Sequence, residues 1–220
     1  MKMNTKSLIF IYMIFSFLFL LAFVLLSVFS DTLSKFFTSH PFFMGFLKFA
    51  FLATTGELIS LRMAKKEWSV PAYIVARWII WGIIGIWITY MMKIFGAGVG
   101  SLMAIGLLPS APSVLWLNKL LCAFFISATM NICFGPTFMA AHKCSDTYLE
   151  LRGQSKDTKL SDVIAKVDWQ RFVSFTLFKT IPLFWIPAHT VTFLLPSEYQ
   201  VMLAALLSIA LGIILNIRKK

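Results

Sequence analysis

Residues 42–61 read FFMGFLKFAFLATTGELISL, an apolar run with two charged side chains, Lys48 and Glu57. A helix needs about 20 predominantly apolar residues to cross the hydrocarbon layer of a membrane, and this run has that length. The pair His40-Pro41 stands directly before it. The run therefore predicts a membrane-spanning helix, and its polar residues are the first candidates for function.

The sequence on either side repeats this pattern. Further apolar runs of spanning length lie at 8–29, 72–95, 114–138, 172–195 and 197–217. The run 8–29 exceeds the apolar core of a signal peptide, about 7–15 residues, and lacks a clear cleavage site, so we interpret it as a retained span. The pattern predicts an all-α polytopic helical membrane bundle with six transmembrane helices, five being the alternative.

The chain divides into three parts. Residues 1–39 hold the first span and a loop, 40–217 form a helical membrane core, and 218–220 are a basic C-terminal tail. Within the core, the hydrophilic stretch 142–168 mixes both signs of charge. We interpret it as a solvated cytoplasmic loop with a short interfacial helix around 161–169.

Glycine and proline interrupt several of the runs. Gly96, Gly98 and Gly100 fall between the third and fourth spans, and a re-entrant or interfacial turn within 96–112 is one interpretation, which the sequence alone leaves open. Gly135-Pro136 should end or kink the fourth span, because proline lacks the amide proton that a helix interior uses.

Composition supports the same class. Hydrophobic residues make up 59% of the chain and charged residues 13%, with a mean hydropathy of +0.83, whereas soluble domains carry about 25% charged residues. The net charge is +11, but the basic residues flank apolar runs in short loops. Such residues orient spans and contact anionic lipid, so membrane lipids are the expected partners and no nucleic acid is.

The basic residues also predict orientation. Fourteen of the 20 Lys and Arg residues fall on one side of a six-span arrangement, the side that holds both termini. By the positive-inside rule the N- and C-termini are cytoplasmic.

Signatures of enzymes are missing from the sequence. It has no zinc-protease histidine pattern, no nucleophile elbow, no phosphate-binding glycine loop and no paired carboxylates. Cys122, Cys133 and Cys144 contain no CxxC pair and read as structural thiols. We expect no enzyme, no catalytic residue, no cofactor and no metal site.

Four polar residues within spans are the candidates for function. Glu57 and Arg77 lie at similar distances from the loop that joins their spans, so they are predicted to form an ion pair within the membrane. Thr54 could line a wet path beside them, and His189 could titrate near neutral pH. One interpretation is a gate or pathway, and the other is a static ion pair with His189 as a packing residue.

Other residues are assigned to packing and anchoring. Small side chains recur along single faces of two spans and predict close helix contacts or a homo-oligomer; they are Gly82, Gly85, Ala204, Ser208 and Gly212. Lys48, Lys119 and Lys179 are predicted to reach toward the headgroups.

From His40 onward the chain resembles the Mpv/PMP family, small integral proteins of peroxisomal and mitochondrial inner membranes. His40-Pro41 is followed by Gly56-Glu57-Leu58-Ile59-Ser60, with Glu57 where the family usually has Asp. Further matching positions follow in order, namely Arg77, Gly82, Tyr90, Phe95, Trp185, Pro187, Phe193 and Pro196. The resemblance covers roughly 40–217, and the span 8–29 is extra to it.

The resemblance implies a permeability role for small solutes or metabolites. We therefore expect a channel or transporter-like pathway whose solute the sequence does not identify. The alternative is a non-transporting membrane scaffold or lipid-organising protein. The expected location is a bacterial cytoplasmic (inner) membrane, with a mitochondrial or peroxisomal membrane as the alternative.

Overall fold

The computed structural model describes residues 5–155 and 157–217, and within these ranges the chain is helical without a strand. The helices in chain order are α1 (Thr5–Phe29), α2 (Asp31–Ser39), α3 (Pro41–Lys65), α4 (Ile74–Ala104), α5 (Leu115–Cys133), α6 (Gly135–Gln154), α7 (Leu160–Lys166), α8 (Trp169–Arg171), a π-helix (Phe172–Trp185), α9 (Ile186–Leu194) and α10 (Ser197–Ile217). The basic tail 218–220 lies outside the described residues.

Five of these helices are long and apolar enough to cross a membrane, namely α1, α3, α4, α5 and α10. They cover five of the predicted spans, although α4 continues to Ala104 and α5 ends at Cys133, and α10 begins at Ser197 as expected. The exposed side chains of α1 include many large apolar ones, as expected for a helix that faces lipid. These features are those of an integral membrane protein.

The remaining predicted span, 172–195, is covered by two consecutive helical segments. The π-helix passes directly into α9, and both junction residues, Trp185 and Ile186, keep right-handed helical backbone angles. Pro182 lies inside the π-helix, where its missing amide proton leaves one carbonyl of the preceding turn without its usual donor. Long π-helices are rare, and the two segments are each shorter than a span.

The glycine-rich patch is not a turn. Gly96, Gly98 and Gly100 lie inside α4, which continues to Ala104, so the interpretation of these residues as a turn is wrong. A glycine costs a helix interior only about 1 kcal/mol relative to alanine, and the apolar residues around the three glycines favour helix. A turn follows only at Gly106, which has a positive φ of 76°.

The hydrophilic stretch is also more helical than expected. Residues 142–154 belong to α6, so the interpretation of 142–168 as a loop fails for its first half. His142 and Asp146 lie 3.4 Å apart one turn along this helix, and such i,i+4 pairs stabilise polar helices. α7 corresponds to the expected short helix. Gly135-Pro136 does mark a junction, since α5 ends at Cys133 and α6 begins at Gly135.

α2 was not foreseen in the sequence. It occupies the connection between the first two spans, and Ser30 caps it by accepting a hydrogen bond from the backbone N of Leu33 at 3.4 Å.

The chain forms two compact units, one of residues 1–89 with 198–220 and one of residues 90–197. In the first unit α3 is the central helix: 56% of its most apolar window is buried, against 17% for α1. Because α3 carries Lys48, Thr54 and Glu57, this burial places its polar side chains inside the unit.

α3 and α4 form an antiparallel hairpin in this unit. Thr89 lies beside Gly45 at one end, and Arg77 pairs with Glu57 twelve residues further along α3. Gly45 and Gly85 meet backbone to backbone, because a Cβ on Gly45 would lie 2.8 Å from the Gly85 carbonyl oxygen. Gly85, one of the predicted packing residues, lies at this close contact.

α10 runs parallel to α3 on another side. Lys48 contacts Glu198, a Cβ on Gly56 would lie 2.6 Å from Ile209, and a Cβ on Gly212 would lie 2.5 Å from the Ser60 hydroxyl. Two more of the predicted packing residues are also buried. Ala204 lies on α10, and Gly82, on α4, lies beneath the ring of Phe46. The fifth, Ser208, is half-buried and donates to the backbone carbonyl of Ala205.

The second unit packs α5 against α9 and the C-terminal half of α4. Val99, Met103 and Ile126 form its buried apolar cluster, with Phe125 and Phe193 packed around them. This packing holds α9 in place and positions the buried polar side chains described below.

Candidate functional site

A buried ion pair joins the two helices of the α3–α4 hairpin. Arg77 Nη1 donates to Glu57 Oε1 at 2.5 Å, and Trp81 Nε1 donates to Glu57 Oε2 at 3.2 Å. Arg77 Nε donates to the backbone carbonyl of Ala72 at 3.0 Å. Both carboxylate oxygens therefore have donors from α4, and the predicted ion pair is confirmed.

Arg77 is more deeply buried than Glu57. The Arg77 side chain is 4% exposed and the Glu57 side chain 20% exposed. A charge in a low-dielectric interior is costly unless it is paired, so each group depends on the other as its counter-ion. The carboxylate is thus the member of the pair that an approaching polar molecule could reach first.

The pair lies toward one end of the hairpin. Glu57 precedes the last residue of α3, Lys65, by eight positions, which is about 12 Å along the helix axis. Arg77 lies in the first turn of α4. The hydrocarbon layer is about 30 Å thick, so the pair stands nearer to the hairpin loop than to the membrane centre.

Thr54 lies one helical turn before Glu57 and is 1% exposed. Its hydroxyl has no hydrogen-bond partner among the described residues. Threonine in a membrane helix usually bonds to its own backbone, as Thr55 does with the Phe51 carbonyl at 2.8 Å. An unsatisfied buried hydroxyl is costly, and a water molecule or a polar solute would relieve it.

Tyr12 brings α1 to the same part of α3. Its hydroxyl donates to the backbone carbonyls of Ala50 and Phe51 at 3.2 and 3.1 Å. The polar groups of this unit thus come from α1, α3 and α4, and they form a candidate site around Thr54 and Glu57.

Lys48 is buried rather than extended toward the headgroups. It is 5% exposed, its Nζ donates to the Glu198 backbone carbonyl at 2.7 Å, and it lies 3.9 Å from the centre of the Phe23 ring. A carbonyl oxygen and an aromatic face together replace part of the water that an ammonium group loses on burial. The predicted snorkelling of Lys48 is therefore wrong, whereas Lys119 and Lys179 are exposed.

His189 has its own polar surroundings in the second unit. Its Nδ1 lies 3.0 Å from Asn131 Nδ2 and 3.2 Å from Asn131 Oδ1. Asn131 Nδ2 also donates to the Ser127 carbonyl at 2.8 Å, and the Ser127 hydroxyl donates to the Ile186 carbonyl at 2.7 Å. The ring centres of Trp185 and His189 are 5.1 Å apart.

These contacts tie α5 to α9 at Ile186 and at His189. Ser127, Asn131 and His189 are all buried, and each has a partner, which is the usual condition of polar groups inside a protein. The arrangement can hold the two helices in register. It is consistent with the packing interpretation of His189.

Of the four predicted site residues, Glu57 and Arg77 are in contact, Thr54 lies on the same helix as Glu57, and His189 has separate partners. The sequence reasoning missed Tyr12, Trp81, Ser127 and Asn131. A signal existed for the last two, since they stand four residues apart in an apolar run and so share a helix face. Within the described ranges, no group of three or more metal-ligating side chains comes together.

Comparison with known proteins does not identify a family for this chain. A scan against models of protein families, a search of curated proteins and a search of solved structures each found no match to this chain.

Proposed function

We propose that this protein provides a permeability pathway for small polar solutes, and that the Glu57–Arg77 pair closes it. In this proposal the chain crosses the membrane six times, with the π-helix and α9 together as the fifth span and both termini in the cytoplasm. The asymmetry of Lys and Arg residues supports that orientation. The pair then stands near the cytoplasmic mouth.

One observation carries the proposal: the buried Thr54 hydroxyl has no hydrogen-bond partner within the described part of the chain and lies one turn from a reachable carboxylate. Ionisable groups within membrane spans commonly face a polar path, because burying them in lipid costs several kcal/mol. If the ion pair closes the path, the Thr54 hydroxyl is dry while the pair is intact and becomes hydrated once the pair opens.

The alternative function, a non-transporting scaffold or lipid-organising protein, is favoured by a different observation. Both Glu57 oxygens are already satisfied by Arg77 and Trp81, as in a static fastening between two helices. The two functions differ in whether the ion pair opens. Neither requires a cofactor or a catalytic residue, and neither involves a nucleic acid.

Membership of the Mpv/PMP family belongs to this proposal as well. It is supported by His40-Pro41, by the run from Gly56 to Ser60, and by Arg77 and Gly82 on the next helix. Gly82 and Arg77 both face α3 in the hairpin, whereas Gly56 and Ser60 lie against α10. The proposed location remains a bacterial inner membrane, with an organellar membrane as the alternative.

Solute flux from reconstituted vesicles tests the function. We expect slow release of a small neutral solute such as glycerol from vesicles with the wild-type chain, and faster release with Arg77→Leu, because the carboxylate then loses its main partner. Gly98→Ala is the matched control, since a Cβ at this position would meet nothing within 4 Å. Release equal to that of protein-free vesicles for every folded variant would support the scaffold instead.

A charge-swapped double variant distinguishes the loss of a gate from misfolding. Glu57→Arg with Arg77→Glu keeps one cation and one carboxylate at the same contact. If the pair acts as a gate, the swapped protein releases solute more slowly than Arg77→Leu. Equal leakage from both variants, with equal helix content, would argue against a gate formed by the pair.

A further inference from the structure

A groove lies at the start of α1, beside the loop between α3 and α4. It has a volume of about 390 Å³, within the range of small-molecule pockets. Lys6 and Ser7 supply its polar groups, Phe10 and three other apolar residues of α1 line its wall, and Trp68 of the loop closes one side. The groove thus combines a basic end with an apolar body.

A second cation belongs to the same end. The Arg62 guanidinium lies 5.8 Å from the centre of the Trp68 ring, a cation–π contact, and Trp68 also lines the groove. Lys65 and Lys66 follow and are exposed. The only acid in the stretch from Lys65 to Tyr73 is Glu67, which leaves this end of the unit with an excess of positive charge.

The apolar wall continues along α1 beyond the groove. Phe10 is 66% exposed, and Ile14, Phe17, Leu18 and Leu21 are exposed in the turns that follow. Tryptophan is enriched at the level of lipid headgroups, where its ring meets both apolar and polar surroundings. Charge, tryptophan and apolar side chains therefore stand in the order in which a phospholipid presents phosphate, glycerol and acyl chain.

We propose that this groove binds one anionic phospholipid, whose phosphate lies between Lys6 and Arg62 and whose acyl chain follows the exposed face of α1. Lipid is the chosen occupant because charge complementarity accounts for the headgroup and the apolar continuation for the chain. The cytoplasmic leaflet is rich in anionic lipid, and each nearby cation strengthens the attraction. The site rests on the proposed cytoplasmic orientation of this end, but it does not depend on the proposed pathway.

Lipid retention by the full-length protein tests the site. The chain is reconstituted in equal parts of phosphatidylcholine and phosphatidylglycerol, extracted in mild detergent, and its bound lipids are counted by native mass spectrometry. We expect the wild type to retain one phosphatidylglycerol in preference to phosphatidylcholine. In Lys6→Gln with Arg62→Gln that preference should fall on the order of tenfold.

The matched control removes the same charge elsewhere. Lys35→Gln with Lys93→Gln changes two exposed lysines on α2 and α4 and should leave the preference unchanged. An equal loss in both double variants would mean general charge attraction and would overturn the site. Equal retention in the wild type and Lys6→Gln with Arg62→Gln would overturn it as well.

Fluorescence quenching covers the case in which the double variant does not fold. Brominated phosphatidylglycerol should quench tryptophan emission more than brominated phosphatidylcholine does, and Trp68→Phe should abolish the difference. Quenching that is the same for the two lipids, or unchanged in Trp68→Phe, would contradict a phospholipid beside Trp68.

Discussion

The Glu57 carboxylate accepts hydrogen bonds from two side chains of one helix, α4. Arg77 supplies charge and Trp81 supplies a neutral donor, so the carboxylate is neutralised and its second oxygen is satisfied. Arg77 in turn is anchored on the Ala72 carbonyl. Loss of any one partner leaves a group that the surroundings cannot solvate.

Glu57→Gln should therefore destabilise the protein strongly, by about 3–5 kcal/mol, because it leaves the Arg77 charge buried without a counter-ion. Adding Arg77→Met to Glu57→Gln should restore part of the loss, since removing both charges avoids the uncompensated one. Unfolding of the purified chain in mixed detergent micelles, followed by circular dichroism, measures both effects. Equal losses in the single and double variants would show that the two side chains are not coupled.

The sequence was sufficient to pair Glu57 with Arg77, since both stand at comparable distances from one short loop. It was insufficient for Trp81, Tyr12 and Asn131, whose contacts depend on how neighbouring helices are rotated about their axes. Spacing along a chain specifies depth in a membrane, but it leaves that rotation open. Lys48 was misjudged for the same reason, because its partners Phe23 and Glu198 come from two other helices.

At the scale of helices, the hairpin is built on glycine. Gly45 and Gly85 let the backbones of α3 and α4 touch, and a Cβ on Gly85 would lie 2.7 Å from that of Phe49. In a membrane such close approach is a main source of helix association, because apolar side chains gain little by leaving lipid. The same contact fixes the register that aligns Arg77 with Glu57.

Gly85→Ala should push α3 and α4 apart and cost about 1–3 kcal/mol of stability, the usual range for overpacking. Gly98→Ala on the same helix should be neutral or stabilising, since its Cβ meets nothing and alanine favours helix. Thermal unfolding of both variants in the same detergent checks this. A Gly85→Ala protein as stable as Gly98→Ala would contradict the close packing.

The helices predicted best are those with a long apolar run and few competing signals. α1, α3 and α10 lie close to their predicted bounds. Errors arose where composition was taken for conformation: the glycines of α4 suggested a turn, and the charges of 142–154 suggested a loop. Helices tolerate both, because isolated glycines cost little and opposite charges one turn apart are favourable.

At the scale of the whole molecule, the number of spans determines whether the two termini lie on the same side of the membrane. Five helices qualify as spans by themselves, whereas the segment 172–194 is a π-helix that continues into α9 and is not among them. If that segment crosses the membrane, both termini share one side, and the basic residues follow the positive-inside rule. If it does not, the terminal Arg-Lys-Lys would stand on the opposite side from Lys6.

Reporter fusions test this arrangement. A reporter after Arg152 should be cytoplasmic, and a reporter placed between Leu195 and Ser197 should not be. A reporter after Ile217 should return to the cytoplasmic side. Cytoplasmic signals after Arg152 and between Leu195 and Ser197, with a non-cytoplasmic signal after Ile217, would leave the segment 172–194 out of the membrane and reduce the count to five spans.

The central claim is that water reaches Thr54 when the Glu57–Arg77 pair opens, and cysteine labelling measures this directly. Cys122, Cys133 and Cys144 are replaced by serine, and Thr54→Cys is exposed in vesicles to a membrane-impermeant thiol reagent. Lys93→Cys, at an exposed position, serves as the reactivity control. We expect slow labelling at position 54 and a rise on the order of tenfold when Arg77→Leu is added, because the carboxylate then admits water. Absence of labelling at position 54 in both backgrounds, with position 93 labelled, would contradict a polar pathway and leave the ion pair as a static fastening.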